Sequence, residues 1–175
     1  MKRTLKNKGF TLIEILVVVG IIAILAAIVI IAINPARQFA QARNSQRTAN
    51  VNALLNAIGQ NTADNKGIFT CDENDDGDTT DPGDDLPTAV TGLSELAFNM
   101  RLCIVPTYMS EIPVDPSTGS NTCNANGDDD CDDAGEDYDT DYTVEVDSTT
   151  SRVTVCAPGG AETAVPGSAA ICVTR

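Results

Sequence analysis

Apolar residues fall along this chain in three patterns, and each predicts a different kind of element. From Phe10 to Ile33, every position except Thr11, Glu14 and Gly20 is apolar. A helix of that length, rising ~1.5 Å per residue, reaches roughly 36 Å and crosses a hydrocarbon core of about 30 Å with some tilt. Asn34-Pro35 follows, and a proline inside a helix removes a hydrogen bond and bends the helix. Beyond it the pattern narrows to a stripe. Val51, Leu54, Leu55 and Ile58 stand at i, i+3, i+4 and i+7, with Arg43, Gln46, Arg47 and Asn50 on other faces. The helix therefore continues as an amphipathic segment to about Asn61, its first half suited to lipid and its second to covering a core.

The third pattern is short and broken. From residue 63 onward Gly, Pro, Asp and Thr punctuate brief apolar runs. Leu93, Leu96, Ala97 and Met100 repeat at helical spacing and predict a second helix from Val90 to Leu102. Alternating or β-branched runs at Tyr142 to Val146, Arg152 to Cys156 and Ala170 to Thr174 predict a small antiparallel sheet. The organisation is a membrane segment at 10–33, an amphipathic continuation at 34–62 and a head at 63–175, of α+β class. Three short strands against one helix are marginal by themselves, and the head has only Phe69, Phe98, Tyr108, Tyr138 and Tyr142 as aromatic filling.

Cysteines offer the missing support. Cys71, Cys103, Cys123, Cys131, Cys156 and Cys172 all lie in the head, an even number on the side of the membrane where disulfides persist, so three bridges are expected. Sequence alone does not choose the pairing. Nearest-neighbour pairing is the simplest, with Cys156–Cys172 best supported because both fall on predicted strands, and closing such a loop is worth about 3 kcal/mol. No Cys-x-x-Cys occurs and there is no His, which argues against a zinc or iron–sulfur site.

Charge is as segregated as hydropathy. The net charge is −14, yet 24 of the 25 acids lie from Asp64 onward, where only Lys66, Arg101, Arg152 and Arg175 oppose them, leaving this stretch at −20. Direct nucleic-acid binding is therefore not expected. The absence of His removes the commonest general acid/base, and enzymatic activity is not expected. Lys2, Arg3, Lys6 and Lys8 precede the apolar run and place the amino terminus in the cytoplasm, although Arg37, Arg43 and Arg47 beyond it blunt the asymmetry. An ordinary secretory signal has a shorter apolar core and a cleavage site after it. A plain anchor fits the length but gives no reason for Glu14, an acid within the apolar stretch that needs a partner there.

Lys8-Gly9-Phe10-Thr11-Leu12-Ile13-Glu14-Ile15-Leu16 resembles the processing and assembly motif of type IV pilins and pseudopilins. The resemblance implies that residues 1–9 are a leader, that a prepilin peptidase cuts between Gly9 and Phe10, and that the new Phe10 amine is methylated. It implies that Glu14 pairs with the amino-terminal amine of a neighbouring subunit, the partner that the membrane segment demands. It further implies a pilin-like αβ-roll stapled by disulfides, a carboxy-terminal disulfide loop, and helical polymerisation by inner-membrane machinery from a lipid-stored precursor. The product would be an extracellular filament or a periplasmic pseudopilus. Gly20 and Pro35 would let the intervening helix stretch on packing.

Two acidic runs carry the remaining candidate chemistry. Asp72, Asn74, Asp76 and Asp78, with Gly77 between the last two, match the first half of a calcium loop, but its twelfth position is Gly83 and the nearest acids are Asp81 and Asp84. A second run, Asp128, Asp129, Asp130, Asp132 and Asp133, continues through Glu136, Asp137, Asp139 and Asp141. Crowded carboxylates repel, and a hard cation relieves them, so Ca2+ is the one ion these loops suit; a solvated acidic surface explains them too. Tyr108 to Pro116 looks like the proline-rich connector that precedes the sheet in many pilin-like proteins. The leading reading is a filament subunit with no required cofactor. A secretion pseudopilin and a membrane-anchored, calcium-dependent adhesive protein are the alternatives.

Overall fold

A computed structural model describes residues 9–71, 85–122 and 138–175, the side chains of 31–33 excepted. The chain divides into two compact units, one ending at Phe39 and the other running from Ala40 to Arg175.

The first unit is dominated by α1, Leu12–Ile33. Thr11 is its N-cap, in extended conformation, and the helix ends at Asn34 in the left-handed region (φ 46°, ψ 77°). The expected bend at Asn34-Pro35 is thus a complete break between two helices. Asn34 also starts the next one: its side-chain oxygen accepts from the Arg37 amide at 3.3 Å, and Pro35 takes the first helical position, where a missing N–H costs nothing. Every described side chain from Phe10 to Ile30 is exposed. An exposed apolar helix of this length is long enough to cross a membrane.

The second unit holds most of α2, Pro35–Asp64, followed by β1 (Thr91–Ser94), α3 (Met100–Ile104), β2 (Ser120–Asn121), β3 (Tyr138–Val146), β4 (Val153–Ala157), a 3-10 turn (Pro158–Gly160) and β5 (Ile171–Thr174). The sheet runs β1-β3-β4-β5 with every pairing antiparallel, and β2 also pairs with β3. The stripe read from sequence is what α2 buries: Val51, Leu54, Leu55 and Ile58 join Tyr142, Val144, Val155 and Ala157 in one core. The Phe69 and Phe98 rings meet within it at 6.5 Å and 49°.

Two expectations about the head fail. The helix expected from Val90 to Leu102 is instead β1, a turn and the five-residue α3. Thr91 and Gly92 pair with Val144 and Thr143, and of the supposed stripe Leu93 and Met100 are buried while Leu96 is 95% exposed. A short apolar run is compatible with either period, and an open edge on β3 decided between them. The strand expected at Tyr142 begins four residues earlier, at Tyr138, and buries Tyr138, Thr140, Tyr142 and Val144 alternately. Asp139 and Asp141, assigned in sequence to the second acidic run, occupy the other positions of this strand. Their low strand propensity hid it. The other two expected strands, β4 and β5, start within one residue of their expected positions, and β2 was not expected.

Candidate functional site

Gly9, Phe10 and Glu14 sit together at the start of the first unit. Phe10 is 84% exposed, and among the described residues nothing lies within 4 Å of where a Cβ on Gly9 would be, so the bond between them is exposed. Glu14 falls at the third helical position, three residues after the cap, and this spacing closes a capping box. The Thr11 amide donates to Glu14 Oε2 at 2.8 Å, the Thr11 hydroxyl donates to the same oxygen at 2.9 Å, and the Glu14 amide donates to the Thr11 hydroxyl oxygen at 3.3 Å. Thr11 is therefore a residue that the sequence reading passed over. Its signal, a Thr three positions before a Glu at a helix start, was present in the motif itself. The box satisfies orphan amides at the helix N-terminus, where the macrodipole favours negative charge. It holds Glu14 by hydrogen bonds alone, and the carboxylate meets no cation among the described residues.

The head contains a second cluster, which sequence reasoning missed. Arg47, read from sequence as lying off the apolar stripe, is 1% exposed. Its Nε and Nη2 donate to both oxygens of Asp115, at 2.5 and 2.9 Å, in the bidentate geometry that suits guanidinium to carboxylate. Nη1 donates to Glu162 at 2.6 Å and to Asn44 Oδ1 at 2.9 Å, and Nη2 reaches the Ser117 hydroxyl at 2.7 Å. Arg43 adds a second fork onto Glu162, at 2.6 and 2.7 Å. Asp115 also accepts from the Ser117 amide and hydroxyl, at 2.9 and 2.8 Å, which folds the end of the proline-rich connector into a turn. One guanidinium thus ties together α2, the connector and the turn after β4.

The electrostatics follow from this packing. Burial would raise the Asp115 carboxyl, but Arg47 and the Ser117 donors outweigh it and hold the group well below the usual carboxylate range. Arg43 first and Arg47 second bring Glu162 down to about 2. Asp115 pushes the Arg47 guanidinium above its ordinary value, so the cluster is fully ionised at neutral pH.

Glycine closes the cluster. A Cβ on Gly159 would lie 2.8 Å from Asp115 Oδ2 and 3.0 Å from Arg47 Nη2. Gly159→Ala is expected to destabilise the head by about 1–3 kcal/mol through overpacking. Gly92→Ala, where nothing lies within 4 Å of the added methyl, should leave the melt unchanged. Thermal melts of the two variants in detergent check this, and equal melting temperatures would contradict the close approach.

Among the described residues two disulfides are formed, Cys71–Cys103 and Cys156–Cys172, both of the nearest-neighbour kind. The first joins the segment after α2 to α3, where buried Asn61 also bonds Thr70 through its amide and carbonyl. The second joins β4 to β5 at directly opposed residues. Cys123, Cys131, the candidate calcium ligands Asp72, Asn74, Asp76, Asp78 and Asp84, and the second acidic run before Tyr138 lie outside the described residues.

No curated protein and no solved structure matches the chain. Residues 4–30 match the family model for the prokaryotic N-terminal methylation motif, and with the exposed apolar helix behind that motif the chain carries the amino-terminal signature of type IV pilins and pseudopilins.

Proposed function

We propose that this chain is a pilin, the structural subunit of a type IV pilus-like extracellular filament. The precursor waits in the cytoplasmic membrane with its basic amino terminus inside. A prepilin peptidase cuts between Gly9 and Phe10, the Phe10 amine is methylated, and inner-membrane machinery polymerises the product through α1. The observation that carries this reading is the pairing of an exposed Gly9–Phe10 bond with an acid, Glu14, that meets no cation among the described residues. Cleavage at Gly9 creates a cation beside the helix that bears Glu14, and the new amine of one subunit can then pair with Glu14 of a neighbour. The chain's chemistry is done to it, not by it.

The cysteines and the disulfide loop at the carboxy terminus favour a surface pilin. The proline-rich connector followed by acids is the feature that keeps a type II secretion pseudopilin as the alternative. Intact-mass measurement of protein sheared from the cell surface tests the proposal. The expected species begins at Phe10, carries one added methyl and lacks six hydrogens for three disulfides. A species beginning at Met1 and found only with membranes would overturn it, while the same processed species confined to the periplasm would favour the pseudopilin.

A further inference from the structure

The two halves of α2 within the head are held by different forces. From Gln41 to Asn50 the only buried residue is Arg47, whereas Val51, Leu54, Leu55, Ala57 and Ile58 are all buried over the next eight positions. The turn after β4 is equally poor in apolar burial. Between Pro158 and Ala170 only Gly160 is buried, although the Cys156–Cys172 bridge closes the base of this loop. What joins the two weakly packed segments is polar: Arg43 and Arg47 on Glu162, and Asn44 Nδ2 donating to the Gly160 carbonyl at 3.0 Å. Within the loop, the Glu162 carbonyl accepts from the Val165 amide at 3.0 Å and the Ser168 hydroxyl at 2.7 Å, so the segment that carries the acid has its own framework.

We infer that the Arg43, Arg47 and Glu162 cluster is a latch, and that undoing it lets residues 41–50 of α2 and the 158–170 loop open together while the rest of the head stays folded. Few buried apolar groups mark a region that opens below the global transition, and here both sides of the opening are of that kind. The apolar half of α2, the sheet and both described disulfides stay intact in the opened form. Asp115 divides its bonds between Arg47 and its own turn, so the connector keeps its Ser117 contacts when the latch opens. A consequence rests on the filament reading: tension carried along the chain enters the second unit at Ala40, three residues before Arg43.

Amide hydrogen exchange on the full chain in detergent tests the latch without requiring that filaments form. Glu162→Gln keeps the shape of the side chain and removes its charge. It should speed exchange of the amides at 44–50 and 160–168 by about tenfold or more, with those at 54–61 and in β3 unchanged. Val155→Ala, a core truncation, should speed the slow amides of both groups alike. Arg47→Met should show the Glu162→Gln pattern more strongly wherever it folds. Equal acceleration in both halves of α2 on Glu162→Gln, or none in either, would overturn the inference.

Discussion

Arg47→Met should lower the melting temperature of the full chain in detergent by roughly 12–20 °C, the largest stability loss expected from a single substitution here. Removing one partner of a buried ion pair strands the other, at a cost of about 3–5 kcal/mol, and a domain of this size loses about 4 °C per kcal/mol. Asp115 is 1% exposed, so water cannot take over the role of the lost guanidinium. The stranded charge is the reason for the size of the effect, and this can be checked separately. Combining Arg47→Met with Asp115→Leu replaces the pair by apolar groups and should recover most of the loss. If the double variant melts no higher than the single one, packing rather than stranded charge explains the cost.

The same cluster sets the acid response. Asp115 and Glu162 are both held below their unfolded values, so on acidification the unfolded chain takes up protons first. Their contribution is complete above the ordinary Glu value of 4.5 and drains away as the pH falls through the folded Glu162 value of about 2. Acid titration of the melting temperature should show this slope, and Glu162→Gln should flatten it. A slope unchanged by that substitution would remove Glu162 from the account.

Glu14→Ala should abolish filaments while leaving an inserted, cleavable precursor. On the proposed processing route the peptidase would act at the exposed bond between Gly9 and Phe10, which the substitution does not touch, so the mature species should still be found in the membrane fraction. What is lost is the one acid in the membrane segment and with it, on the proposed reading, the partner for a neighbour's new amine. Thr11 makes the experiment sharper. Its amide and hydroxyl hold Glu14 Oε2, and Gln at position 14 can accept the same bonds without the charge. Glu14→Gln therefore separates the cap from the ion pair. Filaments at the original level in Glu14→Gln cells would show that the hydrogen bonds suffice and charge pairing does not drive assembly. Filaments in Glu14→Ala cells would end the filament role of Glu14 altogether and favour a surface protein merely anchored by its helix.

How legible each feature was depended on the span of chain that encodes it. The Gly9–Phe10 bond, Glu14 and α1 lie within 25 contiguous residues, and their physics is local: length against bilayer thickness, one acid in an apolar run, one cap. The stripe from Val51 to Ile58 is read the same way, because a period of 3.6 needs no knowledge of what it packs against. The Cys156–Cys172 bridge was accessible because both residues fall on neighbouring strands whose pattern was plain. The Thr11 cap was also local and simply went unread.

The Arg47 cluster was not legible, since its partners Asp115 and Glu162 stand 68 and 115 residues away. An arginine on the polar side of an amphipathic helix looks solvated until the fold brings a carboxylate over it, and nothing in the local pattern marks which arginine will be covered. The segment from Val90 to Leu102 shows the same limit for secondary structure: its spacing fits a helix, but over Thr91–Ser94 the free edge of β3 offers ladder hydrogen bonds that a helix there would leave unmade. Sequence by itself determined the membrane-length helix, the processing motif, the buried stripe and the supply of cysteines, all from forces acting between near neighbours or between the chain and its solvent. Only the tertiary structure decided which charges are buried, which strand completes the sheet and which loops are tied to α2, because those outcomes depend on groups that become neighbours only when the chain folds.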